Sequence, residues 1–295
     1  MKGLQLFFPY YGGKWRSVKH YPLPKHDTII EPFAGAAGYS LRYPDRKILL
    51  YDINPTICGI WDYLIKVKEK EILALPSVIE DIRNINSIPD EAKSLIGFWL
   101  NKGSKSPCNV PSKWMRDDML KGQRTTSYWG EAIKERIANQ LPYIRHWEIE
   151  KSSYTKIPDR QACWFVDPPY KKSGKAYPHH HINYDSLATW CMERKGQIIV
   201  CEQRGADWLP FWPLGKTKSL EGSSHEVLFQ RINNNNTYGS EILLNLQKSK
   251  KYRRDVSFYL DEKTYETFLC ILKTKGINGG YVIEELMRAY LNFHS

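Results

Sequence analysis

Two consecutive prolines stop an apolar run at Trp164-Phe165-Val166-Asp167-Pro168-Pro169. Proline has no backbone N–H and a fixed φ, so a hydrogen-bonded ladder cannot continue through it. Residues 164–167 therefore read as a short buried strand closed by a rigid turn. Other apolar runs end in the same manner. Asp27–Glu31 is followed by Pro32 and a Gly/Ala-rich turn; Lys47–Asp52 ends in an acid; Gln197–Glu202 is a further buried strand. Between the second and third runs the spacing turns helical. Ile57, Ile60, Trp61, Leu64 and Ile65 predict a helix from Pro55 to about Glu71, with further helical pieces near 91–100 and 131–141. Residues 101–127 read as an irregular basic stretch. Glu226–Gln230 and Glu241–Asn245 flank Asn233–Asn236 and predict an antiparallel hairpin. Strands alternating with helices, then a hairpin, predict an α/β sheet with an antiparallel edge.

A chain of 295 residues with 42% hydrophobic content supports one large or two smaller cores, which excludes a disordered chain. No apolar run approaches the ~20 residues of a membrane span, and the first residues carry no secretory pattern. The six cysteines are scattered without a CxxC pair. That argues against a disulfide framework or structural zinc and predicts a cytoplasmic location. The net charge is +11, of which +8 lies between residues 93 and 175. Such an excess suits a polyanion such as nucleic acid, or a merely basic soluble protein. Trp99, Trp114, Tyr128 and Trp129 are interleaved in that stretch. Rings among cations can stack on bases, or they can be ordinary core.

Four segments carry the chemistry: Tyr10-Tyr11-Gly12-Gly13-Lys14, Glu31-Pro32-Phe33-Ala34-Gly35, Asp52-Ile53-Asn54-Pro55 and Asp167-Pro168-Pro169-Tyr170. A Gly-rich turn after a first strand lets a ligand approach the backbone, and an acid ending the second strand can bind a ribose diol. Together they predict a pocket for an adenosine-type cofactor. The proline turn presents the Asp167 carboxylate and the Pro168 carbonyl as paired acceptors, which suit an exocyclic NH₂ group. Tyr170 offers a flat face for a base. Alone, the same segment could be a proline-stopped strand with an incidental tyrosine. His179-His180-His181 is read as a loop beside the proline turn rather than a metal site, because adjacent histidines do not easily face one ion. Cys201-Glu202 ends a strand at the same edge and is expected near the pocket, with no nucleophilic role.

The order of these motifs resembles the Dam-like, D12 class of N6-adenine DNA methyltransferases, over residues 1–246. The resemblance implies a Rossmann-like sheet, S-adenosylmethionine as cofactor and no metal. It implies cofactor contacts among Tyr10, Tyr11, Gly12, Gly13, Lys14, Glu31, Pro32, Phe33, Gly35, Asp52, Ile53 and Asp167. Asp167, Pro168 and Tyr170, braced by Pro169, would grip an adenine flipped out of double-stranded DNA. An insert at about 72–145 would read the DNA, with Lys102, Lys105, Lys113, Arg116, Lys121 and Arg124 as candidate contacts. The family often has Trp where Tyr10 stands and glycine where Ala37 stands. Two other functions compete: a catalytically silent DNA-binding regulator, and a cytosine-N4 methyltransferase. Serine is more usual in place of Asp167 for the latter.

Residues 247–253 form a basic linker, and the pattern then changes. Val256, Phe258 and Leu260 alternate with polar residues as in a strand, and two amphipathic helices follow. Residues 254–295 resemble a ribbon-helix-helix module. That resemblance implies homodimerisation through a shared ribbon and DNA contacts from Arg253, Arg254, Ser257 and Tyr259.

Overall fold

The computed structural model describes residues 3–120, 126–174, 181–219 and 222–232. Seven strands form one sheet: β1 (Thr28–Glu31), β2 (Lys47–Asp52), β3 (Glu148–Lys151), β4 (Ala162–Val166), β5 (Gly196–Gln203), β6 (Trp212–Ser219) and β7 (Gly222–Ile232). Their order is β3-β2-β1-β4-β5-β7-β6. The first five are parallel, and β7 lies antiparallel to both β5 and β6. The fold is the α/β, Rossmann-like sheet with an antiparallel hairpin edge that the sequence predicts. Strand order reverses between β1 and β4, so their carboxyl ends open a crevice at the point where ligands bind in such sheets.

The parallel strands Thr28–Glu31, Ala162–Val166 and Gly196–Gln203 are buried along nearly their whole length and bear out the apolar runs. Every residue of β4 is buried, and Trp164 is among the largest fully buried side chains. β3 was not predicted. It is four residues, Glu-Ile-Glu-Lys, with only Ile149 partly buried, because it is the sheet's outer strand and needs no apolar run. An antiparallel hairpin stands at the sheet edge, and among the described residues it joins β6 and β7. Glu226–Leu228 is paired on both sides, with β5 and with β6, so its hairpin partner is the preceding strand. Residues 241–245 lie outside the described residues, as do the linker 247–253 and the module 254–295.

The helices are α1 (Pro55–Lys66), α2 (Glu69–Leu73), α3 (Asp90–Leu100), α4 (Lys113–Leu120), α5 (Glu131–Gln140) and α6 (Tyr184–Glu193). The helix expected to run on to about Glu71 breaks at Val67 and Lys68, which are extended. Arg145 makes the break possible: its guanidinium donates to the carbonyls of Leu64, Ile65 and Val67. These are among the acceptors a helix end leaves without partners. The Glu71 carboxylate then accepts from the Lys68 N–H and restarts a helix. Lys134 does the same for α2, since its buried ammonium donates to Leu73 O and Leu75 O at 3.0 and 2.8 Å. α4 falls in a stretch expected to be irregular; polar residues such as Lys113, Arg116 and Asp117 weaken its apolar period.

The aromatics of the insert divide. Trp99 and Trp129 are core, and their indole N–H groups donate to Phe7 O and Pro76 O. Tyr128 is half-buried beneath Lys102. Trp114 stands out at 72% exposure.

Candidate active site

Three turns meet at the carboxyl ends of β1, β2 and β4. The β1 turn begins at buried Glu31, whose carboxylate accepts the Ser40 N–H at 2.8 Å. Gly35 sits in this turn with φ +45°, and a Cβ there would lie 3.1 Å from the Tyr10 ring. Only glycine adopts such a backbone without strain beside that ring. Gly38 permits a second close approach: a Cβ would lie 2.8 Å from the Trp15 nitrogen. The neighbouring Ala37 has φ +50° despite its side chain.

Asp52 ends β2 and braces the turn. Its two carboxylate oxygens accept from the N–H groups of Gly35 (3.0 Å) and Asn54 (2.9 Å). Asn54 caps α1 by accepting from Thr56 N, with Pro55 at the first helical position. It is also hydrogen-bonded to the Tyr10 hydroxyl.

The Tyr10–Lys14 segment crosses this crevice. Gly12 takes φ +72° and Gly13 N–H closes a turn onto Tyr10 O. That turn aims the Lys14 side chain inward. Its ammonium, 6% exposed, is 2.9 Å from an Asp167 carboxylate oxygen and donates to Gly12 O at 2.7 Å. It also stands 4.7 Å from the centre of the Tyr170 ring. One face of Tyr170 is therefore covered by a cation, and Lys14 has to shift for a base to stack there.

The Asp167-Pro168-Pro169-Tyr170 turn leaves β4 in the expected place. Tyr184 O–H donates to Pro169 O at 2.6 Å. Pro168 is buried beside it. Burial raises the Asp167 carboxyl to about 6, against the pull of Lys14 and with help from Glu226 and Glu202. Burial pushes Glu31 further, to about 8. The Tyr170 hydroxyl is raised by burial and by the Asp167 and Glu226 charges.

These segments enclose a cavity of about 290 Å³. All twelve residues expected to contact a cofactor line it, and Pro169 does too. Pro168 and Tyr170 do not. Asn54, from the third of the four segments, lines it too, as do Ser152, Ser153 and Tyr154, which belong to none of them. The last three follow β3, a strand without an apolar run to announce its loop. Tyr154 packs at 5.6 Å against Phe33, which makes one wall aromatic. His181 and Ile182 line the cavity as well, whereas His179 and His180 lie outside the described residues. No cluster of His, Cys, Asp or Glu suited to a metal is present among the described residues. Cys201 and Glu202 are buried and lie outside the cavity lining; Glu202 accepts the Lys171 N–H at 2.7 Å.

The basic loop of the insert is tied to the cavity rim. Tyr11 N–H donates to Ser104 O, and the Lys105 ammonium lies 4.5 Å from the centre of the Tyr11 ring. Lys102 lies 5.3 Å from that of Tyr128. Lys113 and Arg116 are exposed on α4 beside Trp114. Lys121, Arg124, Arg253, Arg254, Ser257 and Tyr259 lie outside the described residues. No helix among the described residues is long and apolar enough to cross a membrane.

No family model matches the chain, and no curated protein matches it. Among solved structures it is similar to a candidate methylase from Haemophilus influenzae, with 10% identity, a TM-score of 0.29, and coverage of 70% of this chain and 80% of the other. It is also similar to a conserved hypothetical protein from Streptococcus pyogenes, with 9% identity, a TM-score of 0.28, and coverage of 70% and 86%. Likeness at that level carries no weight for chemistry, which rests on the chain's own sheet order and on the turns at its crevice.

Proposed function

We propose that the chain is a DNA adenine-N6 methyltransferase that uses S-adenosylmethionine. The observation that carries this is the meeting of an aromatic- and glycine-lined cavity with the Asp167 carboxylate, at the proline turn that ends β4. The residues present suit the cofactor. Gly35 leaves room for close backbone approach, Asp52 and Asn54 offer polar partners for a ribose, and Phe33, Ile53 and Tyr154 suit an adenine ring. The acids Asp167 and Glu31 suit a sulfonium cation at the far end. When bound, the cofactor supplies an already activated methyl group and leaves as a neutral thioether.

The chain's residues position the acceptor. The target adenine enters from the rim marked by Tyr11 and Lys105 and displaces Lys14 from the Tyr170 face. The Asp167 carboxylate and the Pro168 carbonyl then accept hydrogen bonds from the N6 amine. Those bonds draw N6 toward tetrahedral geometry and aim its lone pair at the methyl carbon, and the methylated amine then gives up one proton to the Asp167 carboxylate or to water. Unstacking the base costs a few kcal/mol, offset by these contacts and by Tyr170. Exposed Lys113, Arg116 and Trp114 supply phosphate and stacking contacts for the DNA, so affinity should fall steeply with salt.

Incubation with methyl-labelled S-adenosylmethionine and DNA, followed by nucleoside separation, tests the proposal. Label in N6-methyladenine is expected. Label in N4-methylcytosine would move the assignment to cytosine, and DNA binding without label would move it to a silent regulator. Gly35→Ala should weaken cofactor binding and cost about 1–2 kcal/mol of stability, because the new Cβ is strained by positive φ and meets the Tyr10 ring. Thermal unfolding with and without S-adenosylmethionine reads both effects. For the tail, we propose dimerisation through residues 254–295. Light scattering should give a dimer for the full chain and a monomer after truncation at residue 249; a monomer in both cases would remove the idea.

A further inference from the structure

We infer that Glu226 is a positioning residue for the acceptor base, acting through the Tyr170 ring. This rests on the methyltransferase reading above and adds a residue that no motif contains. Glu226 lies on β7, opposite Gln203 of β5, and is 8% exposed. One of its carboxylate oxygens accepts from two tyrosines, the Tyr170 hydroxyl at 2.9 Å and the Tyr21 hydroxyl at 2.8 Å. Tyr21 is buried, and its ring meets Phe165 of β4 edge-on at 5.3 Å. Phe165 in turn lines the cavity and stacks on Tyr39 at 4.3 Å. The carboxylate thus joins the antiparallel edge, the N-terminal segment and the catalytic turn at one atom.

A tyrosine side chain turns about two torsions, which the backbone restricts without fixing either to one value. A hydrogen bond at the far end of the ring removes most of that freedom, and a charged acceptor makes it stronger than a neutral one. Tyr21 fixes the carboxylate in turn, since its own ring is packed. The plane against which a base would stack is therefore set by a residue on β7. Glu226 does not line the cavity, so its loss should leave cofactor affinity alone and act on turnover.

The test uses the full chain with Glu226→Ala, Glu226→Gln, Tyr21→Phe, Tyr170→Phe and the Glu226→Ala/Tyr170→Phe double variant. Wild type must first transfer methyl groups to DNA; if it does not, the methyltransferase reading fails on its own. In an active enzyme, Glu226→Ala should lower kcat about 10- to 100-fold, the scale for reacting partners misplaced by about an ångström. The dissociation constant for S-adenosylmethionine should stay within about twofold. Glu226→Gln, which keeps an acceptor oxygen, should restore most of kcat. In the Tyr170→Phe background Glu226→Ala should have little further effect, because the bond is already gone. Equal losses in both backgrounds, or an unchanged kcat in folded Glu226→Ala, would overturn the inference.

Should Glu226→Ala not fold, Tyr170→Phe and Tyr21→Phe decide it. Each removes one donor and should lower kcat without changing cofactor affinity; wild-type turnover in both overturns it. Ring NMR of tyrosine-labelled protein gives an answer that needs no activity. Loss of the charge in Glu226→Gln should shift the Tyr170 and Tyr21 signals together while the retained acceptor keeps them sharp, and unchanged signals would count against the clamp.

Discussion

Asp167→Ala is expected to abolish most methyl transfer, lowering kcat by about 10²- to 10³-fold, the cost of removing one preorganised polar partner of a reacting group. The carboxylate is one of two acceptors at the β4 turn, and the backbone carbonyl of Pro168 cannot replace it. Cofactor binding should weaken less, because the adenosine end of the cavity, built by Asp52, Asn54 and Phe33, is untouched. The fold should lose stability for a separate reason. Lys14 is buried, and its ammonium would lose the carboxylate 2.9 Å away while keeping Gly12 O and the Tyr170 face. Breaking a buried pair from one side costs up to about 3–5 kcal/mol, and Lys14 can escape part of that by losing its proton. Asp167→Asn keeps the size and one acceptor oxygen, so it should fold better than Asp167→Ala yet turn over almost as slowly. The measurement is kcat by label incorporation, with circular dichroism as the folding control. Turnover within about threefold of wild type in either variant would remove Asp167 from the reaction.

How much of this was legible in the sequence depends on what each residue has to satisfy. Strands buried on both faces, such as β4 and β5, write themselves as apolar runs. Their turns write themselves as Gly, Pro and acid, because positive φ and missing N–H groups restrict the residue types. Hence all twelve residues expected around a cofactor fall on one cavity. β3 escaped because an outer strand of four residues needs only Ile149 inside, and Ser152, Ser153 and Tyr154 escaped with it. Glu226 escaped for another reason. A buried acid on a strand looks like any polar residue on an alternating strand until two tyrosines, 56 and 205 positions away, are seen to converge on it. The break at Val67 was equally hidden, because it depends on an arginine about 80 residues later. Local patterns report backbone needs; long-range partners of polar groups leave no local trace.

The pH profile should expose the charges at the crevice, with activity and stability moving in opposite directions. To accept from an amine the Asp167 carboxyl must be ionised, and burial raises it to about 6. Turnover should therefore rise as pH increases through about 6. Lys14 opposes that burial, so Lys14→Met should move the rising limb to higher pH. Stability has the reverse sign. A carboxyl raised in the folded state keeps a proton that the unfolded chain has already released above about pH 4. Its favourable contribution is complete below that pH and is lost as pH rises through the folded value. For Asp167 that window is about 4 to 6, and a rise of about two units withdraws roughly 3 kcal/mol. For Glu31, buried and raised to about 8, the loss continues from about 4 up to 8. Glu31→Gln should thus flatten the fall in Tm between pH 6 and 8 without shifting the activity limb near 6. A bound sulfonium favours ionised Asp167, so the limb should lie at lower pH in kcat, which reports the complex, than in kcat/KM, and S-adenosylmethionine should release protons on binding. Calorimetry in two buffers of different ionisation enthalpy detects such release. A flat kcat from pH 5 to 8, or the same midpoint in wild type and Lys14→Met, would break the link between the buried pair and turnover.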